Sequence, residues 1–277
     1  MGLTMNSVQV NGITLKYIDQ GPRSGLPVVF IHGFPFSHAM WAGQVAAFSK
    51  DHRCIAYDIR GLGQSDPGDN QYSIEGHVDD LLGLLDALGL KKVLPVGLSM
   101  GGYITLRALE RAQERFLGAV LCDTRSEADT DEAKIRRFAG MKAVKAEGSR
   151  VFADNFVRAV FAAASFQRSP DTVAMIHNII SQTPPVRIAG TLLALAARTD
   201  TTASLTQIAL PTLIIVGEED SLTPPAASRA MHERIPGSTL RLIPGAGHMS
   251  NLENPGAFND ALAEFLKKIS LPAQGGR

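Results

Sequence analysis

The sequence is short of several things, and each shortage excludes something. It holds two cysteines and one tryptophan in 277 residues, and its 27 Lys and Arg balance its 27 Asp and Glu to a formal net charge of zero. Cys54 and Cys122 lie in separate apolar runs, CIAYD and AVLCD. They are too few and too far apart for a disulfide framework or a zinc motif, so they read as buried fillers. Zero net charge removes the electrostatic footprint that nucleic acid or an anionic membrane calls for. No apolar run approaches the ~20 residues of a spanning helix. The first dozen residues lack the basic-then-apolar order of a secretion signal, and Asn6 breaks the myristoylation pattern. A cytoplasmic protein with a small-molecule substrate, and with no nucleic-acid or membrane partner, is expected. No histidine pair has zinc-helix spacing, and the Gly-rich loop at 59–66 lacks the lysine of a phosphate loop and the third glycine of a dinucleotide fingerprint. Neither metal nor cofactor is expected.

What is present is organised around residues 93–102, VLPVGLSMGG. An apolar, β-branched run suits a buried strand, and the apolar residues after it recur at helical spacing. Between them stands Gly97-Leu98-Ser99-Met100-Gly101. Turning from strand to helix at one residue strains Ser99 and crowds the positions two before and two after it, which is why both are glycine. Ser99 then sits at a helix N-terminus, whose free amides favour developing negative charge.

The rest of the chain supplies the setting. The 45% hydrophobic content suits one large α/β domain carrying an insertion. Residues 8–19 alternate around Asn11-Gly12, a hairpin signal. Strands are expected at 27–31, 54–58, 93–96, 118–123, 211–217 and 239–243, and helices at 41–48, 74–88, 226–234 and 258–269. Ser73 should cap the second of these helices. Between 124 and 206 no strand-like run occurs and helical spacing dominates. Such an insertion usually lies over the ligand-binding end of a sheet. Its apolar residues, Phe152, Phe156, Phe161, Phe166 and Met175, read first as its own interior.

Ser99, Asp220 and His248 each follow the C-terminal end of a separate expected strand, in the order serine, acid, histidine. With His32-Gly33-Phe34 added, this pattern resembles the α/β-hydrolase fold family across essentially the whole chain. The stretches HGFPFSHAMW, YDIRGLGQSD, GLSMGGY and LCDTRSEADTDEAK are similar to small bacterial carboxylesterases and to 3-oxoadipate enol-lactonases. The resemblance implies a mostly parallel eight-stranded sheet flanked by helices, with a core of residues 1–124 and 207–277 and a helical lid at 125–206. It implies Ser99 as nucleophile, His248 as general base and Asp220 as the carboxylate orienting it. The backbone N–H groups of Phe34 and Met100 would form the oxyanion hole. The related haloalkane dehalogenases use Asp as nucleophile, so Ser99 speaks against that chemistry.

Some choices stay open in the sequence. Asp123 ends the strand after the elbow helix, where some relatives place their acid, and Asp58 and Glu219 also lie near strand ends. If Asp123 is not the acid, it should cap the start of the insertion. His32 should brace the oxyanion loop, while His38, His52, His77, His177 and His232 lack an acidic or glycine setting. A cofactor-free carboxylesterase for short or compact acyl esters is the first expectation. An enol-lactone hydrolase would need a cation for the substrate carboxylate, with Arg125, Arg158 and Arg187 as candidates. A perhydrolase, or a ligand receptor on the same scaffold, completes the set.

Overall fold

The computed structural model describes residues 4–269. The chain opens with a hairpin, β1 (Asn6–Val10) and β2 (Ile13–Gln20), turning at Asn11-Gly12 as the sequence predicts. There follow β3 (Pro27–Ile31), α1 (Ala42–Phe48), β4 (Arg53–Tyr57), α2 (Ile74–Ala87), β5 (Leu94–Leu98), α3 (Met100–Ala112) and β6 (Ala119–Cys122). Next come α4 (Asp131–Val160), α5 (Ser165–Arg168), α6 (Pro170–Gln182) and α7 (Pro185–Ala196). The chain then continues through β7 (Thr212–Gly217), α8 (Pro225–Arg234), β8 (Thr239–Ile243), α9 (Ser250–Glu253) and α10 (Pro255–Leu266).

The eight strands form one sheet in the order β1-β2-β4-β3-β5-β6-β7-β8. β2 is antiparallel to β1 and β4, and every other pairing is parallel. All residues of β4, β5, β6 and β7 are buried, so these strands read as continuous apolar runs because helices cover both faces. The order places β3, β5, β6, β7 and β8 side by side. The loops leaving their C-terminal ends therefore share one edge of the sheet, where ligands bind in such folds.

Helix boundaries moved by a few residues. A 3-10 turn at His38–Trp41 precedes α1, and Ser37 rather than Trp41 supplies a capping side chain there. The last helix starts at Pro255, not Phe258, because Asn254 caps it by accepting from the Ala257 amide. Ser73 does cap α2, accepting from the Gly76 amide at 3.0 Å. α4 to α7 occupy the interval between the adjacent strands β6 and β7. No described helix is long and apolar enough to cross a membrane.

Candidate active site

The turn from β5 into α3 puts Ser99 at φ 55° and ψ −114°. A Cβ on Gly97 would lie 2.3 Å from the Gly101 carbonyl oxygen, and one on Gly101 would lie 2.2 Å from that of Ile31. The bend itself requires Gly97, and the close passage of α3 past the end of β3 requires Gly101. The bend is tied to the next strand on two sides. The Ser99 amide donates to the Cys122 carbonyl at 2.9 Å, and Thr124 Oγ1 donates to the Ser99 carbonyl at 2.8 Å.

His248 and Asp220 are buried and meet directly. His248 Nδ1 lies 2.9 Å from Asp220 Oδ2, a contact in which the ring N–H donates to the carboxylate and Nε2 is left as the other ring nitrogen. Asp220 also accepts from the amides of Leu222 and Thr223, both at 2.9 Å, and from Thr223 Oγ1 at 2.6 Å. Burial alone would raise the Asp220 pKa, but His248 and these donors hold it below the usual carboxylate range. The ring's hydrogen bonds are all at Nδ1, and among the described residues none joins it to Ser99 Oγ. Such contacts often tighten only when substrate binds.

Asp123 does not cap the insertion. Its Oδ1 accepts from the Gly217 amide at 2.8 Å, and its Oδ2 lies 2.5 Å from Ser250 Oγ, so it joins the end of β7 to the loop after His248. Full burial and the neighbouring Asp220 charge push its pKa well above the carboxylate range. Two carboxyls therefore stand at this strand edge with their pKa values pushed in opposite directions, Asp220 down by His248 and its donors and Asp123 up by burial.

Ser99, Phe34, Met100 and Thr223 line a cavity of about 330 Å³. Among the described residues no acceptor engages the amide of Phe34 or of Met100. One side of the cavity is aromatic, with Phe152 and Phe156 of α4 meeting Phe34 edge-on at 6.1 and 5.7 Å. The rest of the lining carries charge: Arg136 next to the rings, and Arg125, Arg137 and Arg198 with one carboxylate, Asp129. Arg137 and Arg198 both hydrogen-bond Asp129, and the Arg198 guanidinium lies 4.3 Å from the Tyr103 ring centroid.

A family model described as alpha/beta hydrolase fold matches residues 27–255. The chain belongs to the α/β-hydrolase fold family. It is similar to a thermophilic esterase from Thermogutta terrifontis, whose structure was solved with malate bound. The identity is 34%, the TM-score is 0.90, and 96% of this chain and 98% of that one are covered. It is 31% identical to 3-oxoadipate enol-lactonase 1 of Acinetobacter baylyi over 93% of this chain and 95% of that protein. It is 30% identical to a non-heme chloroperoxidase of Streptomyces lividans, with 93% and 97% covered.

In this α/β-hydrolase, Ser99, Asp220 and His248 lie at the C-terminal edge of the sheet where the sequence puts them, and several of their expected neighbours differ. His32 braces the turn after β3: its Nδ1 donates to the Gly33 carbonyl at 2.8 Å and its Nε2 accepts from the Ile59 amide at 2.9 Å. Burial lowers its pKa to about 4, so it serves as a neutral link. His38 does have an acid in space, since its Nδ1 lies 2.8 Å from Asp58 Oδ1, but neither residue lines the cavity. Of the three expected cations only Arg125 reaches the cavity; Arg158 is exposed and Arg187 half-buried, both elsewhere. Phe152 and Phe156 are cavity wall, Phe161 is buried interior, Met175 packs against the core and Phe166 is exposed.

Glu253 was missed altogether. Its Oε1 accepts from the amides of Gly247 and Met249, on either side of His248, at 2.8 and 3.1 Å. Its Oε2 accepts from the Ala162 amide at 2.8 Å and from Ser165 Oγ at 2.6 Å. The His248 amide in turn donates to the Val160 carbonyl at 2.9 Å. One buried carboxylate thus joins the histidine loop to the segment between α4 and α5.

Proposed function

We propose that this α/β-hydrolase is a serine carboxylesterase that cleaves carboxylic esters through an acyl-enzyme on Ser99. The observation that carries the reading is the buried His248–Asp220 contact of 2.9 Å, delivered to the same strand edge as the strained Ser99 bend. In this reading His248 Nε2 takes the Ser99 hydroxyl proton as Oγ attacks the ester carbonyl, then returns it to the leaving alcohol. Water, deprotonated by the same nitrogen, releases the acid and restores the serine. Asp220 holds the ring in the tautomer this requires and stabilises its protonated form. The Phe34 and Met100 amides receive the oxyanion, each worth about 3 kcal/mol in the transition state. α4 to α7 act as a lid that supplies the cavity wall.

The test is hydrolysis of a chromogenic short-chain ester by the wild type and by Ser99→Ala. Loss of at least a thousandfold in kcat is expected; equal rates reject the role of Ser99.

A second reading is favoured by the arginine side of the cavity. Four guanidiniums against one carboxylate suit a substrate that carries an anionic group beside its ester or lactone bond. The malate in the Thermogutta terrifontis esterase and the lactone named for the Acinetobacter baylyi relative point the same way. Competitive inhibition by a dicarboxylate, weakened at least tenfold in Arg125→Met, is the expected result; unchanged inhibition rejects this substrate class.

A further inference from the structure

α4 is broken at Gly148, whose φ of 87° and ψ of 167° suit a residue without a Cβ. A cleft of about 570 Å³ lies between the segments before and after the break, lined by Ala143, Val144 and the exposed Glu147 on one side and Val151, Asn155 and Ala159 on the other. Its lining is shared with that of the catalytic cavity at Arg136, Gly140, Phe152 and Phe156. Phe152 and Phe156 stack with ring centroids 5.3 Å apart and 18° between planes. The pair is the wall between the two spaces, and on its catalytic side it rests against Phe34, the residue whose amide is assigned to the oxyanion.

We propose that this cleft is an apolar subsite for the linear alkyl tail of an ester whose carbonyl sits at Ser99, with Phe152 and Phe156 as the specificity-determining wall. The inference rests on the serine-esterase reading above. The two sides of the catalytic cavity dictate the direction. A tail laid along the guanidiniums would strip water from charged groups without replacing their hydrogen bonds. The route past the phenylalanines meets only Arg136, which is exposed and keeps its water. Beyond the rings, the small residues Gly140, Ala143 and Ala159 leave the space empty. Both rings are only half-buried, so rotation about their side-chain bonds opens the passage without unfolding the helix. Each methylene that crosses into the cleft should then raise kcat/KM by up to about fourfold.

The experiment compares kcat/KM for 4-nitrophenyl acyl esters from acetate to dodecanoate and, separately, for n-alkyl acetates, so that the acyl or alkoxy origin of the tail is read directly. In the wild type, one series should rise from four to eight carbons. Ala143→Trp and, as a second obstruction, Ala159→Trp fill the cleft from outside. Each should lower the eight-carbon to two-carbon ratio at least tenfold, while Phe156→Ala should raise it. A ratio taken within one variant cancels any loss of folded enzyme. The proposal is overturned if both series fall steadily beyond four carbons in the wild type and in Phe156→Ala, or if neither obstruction changes the ratio. In either case, Ser99-dependent cleavage of the acetate leaves the esterase reading standing. Cleavage of no ester at any length removes the esterase reading, and the subsite with it.

Discussion

Asp220 and Asp123 should respond in opposite ways to the same conservative change. Asp220→Asn keeps the shape but places an amide against His248 Nδ1, 2.9 Å from the present carboxylate oxygen. If the amide nitrogen faces the ring, Nδ1 must become the acceptor and Nε2 carries the proton, which removes the base. If the amide oxygen faces it, the charge that stabilises the imidazolium is still gone. The loss expected from a triad is about 10⁴-fold in kcat, or about 5 kcal/mol. Asp123→Asn instead puts a neutral group of the same shape where burial disfavours charge. Its oxygen can accept from Gly217 N and its amide can donate to Ser250 Oγ, so kcat should fall less than tenfold. The assay is short-chain ester turnover, with active sites counted by stoichiometric inhibitor so that misfolded protein does not enter. Equal losses in the two variants would refute the assignment of separate roles, and a larger loss in Asp123→Asn would make Asp123 the working acid. Stability adds a second check. Because the folded pKa of Asp123 is raised, the native state holds a proton that the unfolded chain releases above about pH 4. The contribution of Asp123 to stability is therefore full below that pH and declines as pH rises toward the raised pKa, and the difference in stability between wild type and Asp123→Asn in urea melts should shrink over that range.

Three further outcomes follow from the geometry. Gly97→Ala forces a Cβ to within 2.3 Å of a backbone oxygen, and thermal melts should show a loss of about 3 kcal/mol, or roughly 10 °C; an unchanged Tm would contradict the close approach. His77 is fully buried, neither ring nitrogen has a hydrogen-bond partner among the described residues, and its pKa is lowered to about 4 by burial. The unfolded chain therefore takes up the proton first as pH falls below about 6.5, so this site should cost about 2 kcal/mol of stability between pH 7 and about pH 4.5. His77→Phe should lose that dependence, and equal pH slopes in wild type and variant would reject it. Glu253→Gln leaves two of four donors facing an NH₂ group, and should lower kcat at least tenfold while KM stays within about threefold, because the His248 loop loosens and the cavity wall does not. A rise in KM alone would place Glu253 in substrate binding instead.

Much of this was written in local sequence. Gly97-Leu98-Ser99-Met100-Gly101 could be read because the bend's steric demands fall on fixed neighbours, and Asn11-Gly12 and Ser73 because turn and cap chemistry is local. Parallel strands buried on both faces show as continuous apolar runs, which made the sheet legible strand by strand. What was hidden is what depends on how helices face one another. Arg136 and Arg137 belong to α4 and Arg198 follows the end of α7, and helical spacing does not say which face meets the catalytic edge. Asp123 as a tie between Gly217 and Ser250, and Glu253 as a tie between the His248 loop and Ala162, join residues about ninety or more positions apart. No spacing rule spans that distance. Thr223 was closer to hand, three residues after Asp220, and its hydroxyl could have been suspected as a partner of the acid.

The most direct measurement of the central claim is covalent trapping. Incubation with a fluorophosphonate, followed by peptide mass spectrometry, should find one phosphonyl group per chain, on Ser99, with ester hydrolysis falling in step with labelling. Labelling at another residue, or undiminished hydrolysis by a fully labelled protein, would contradict it.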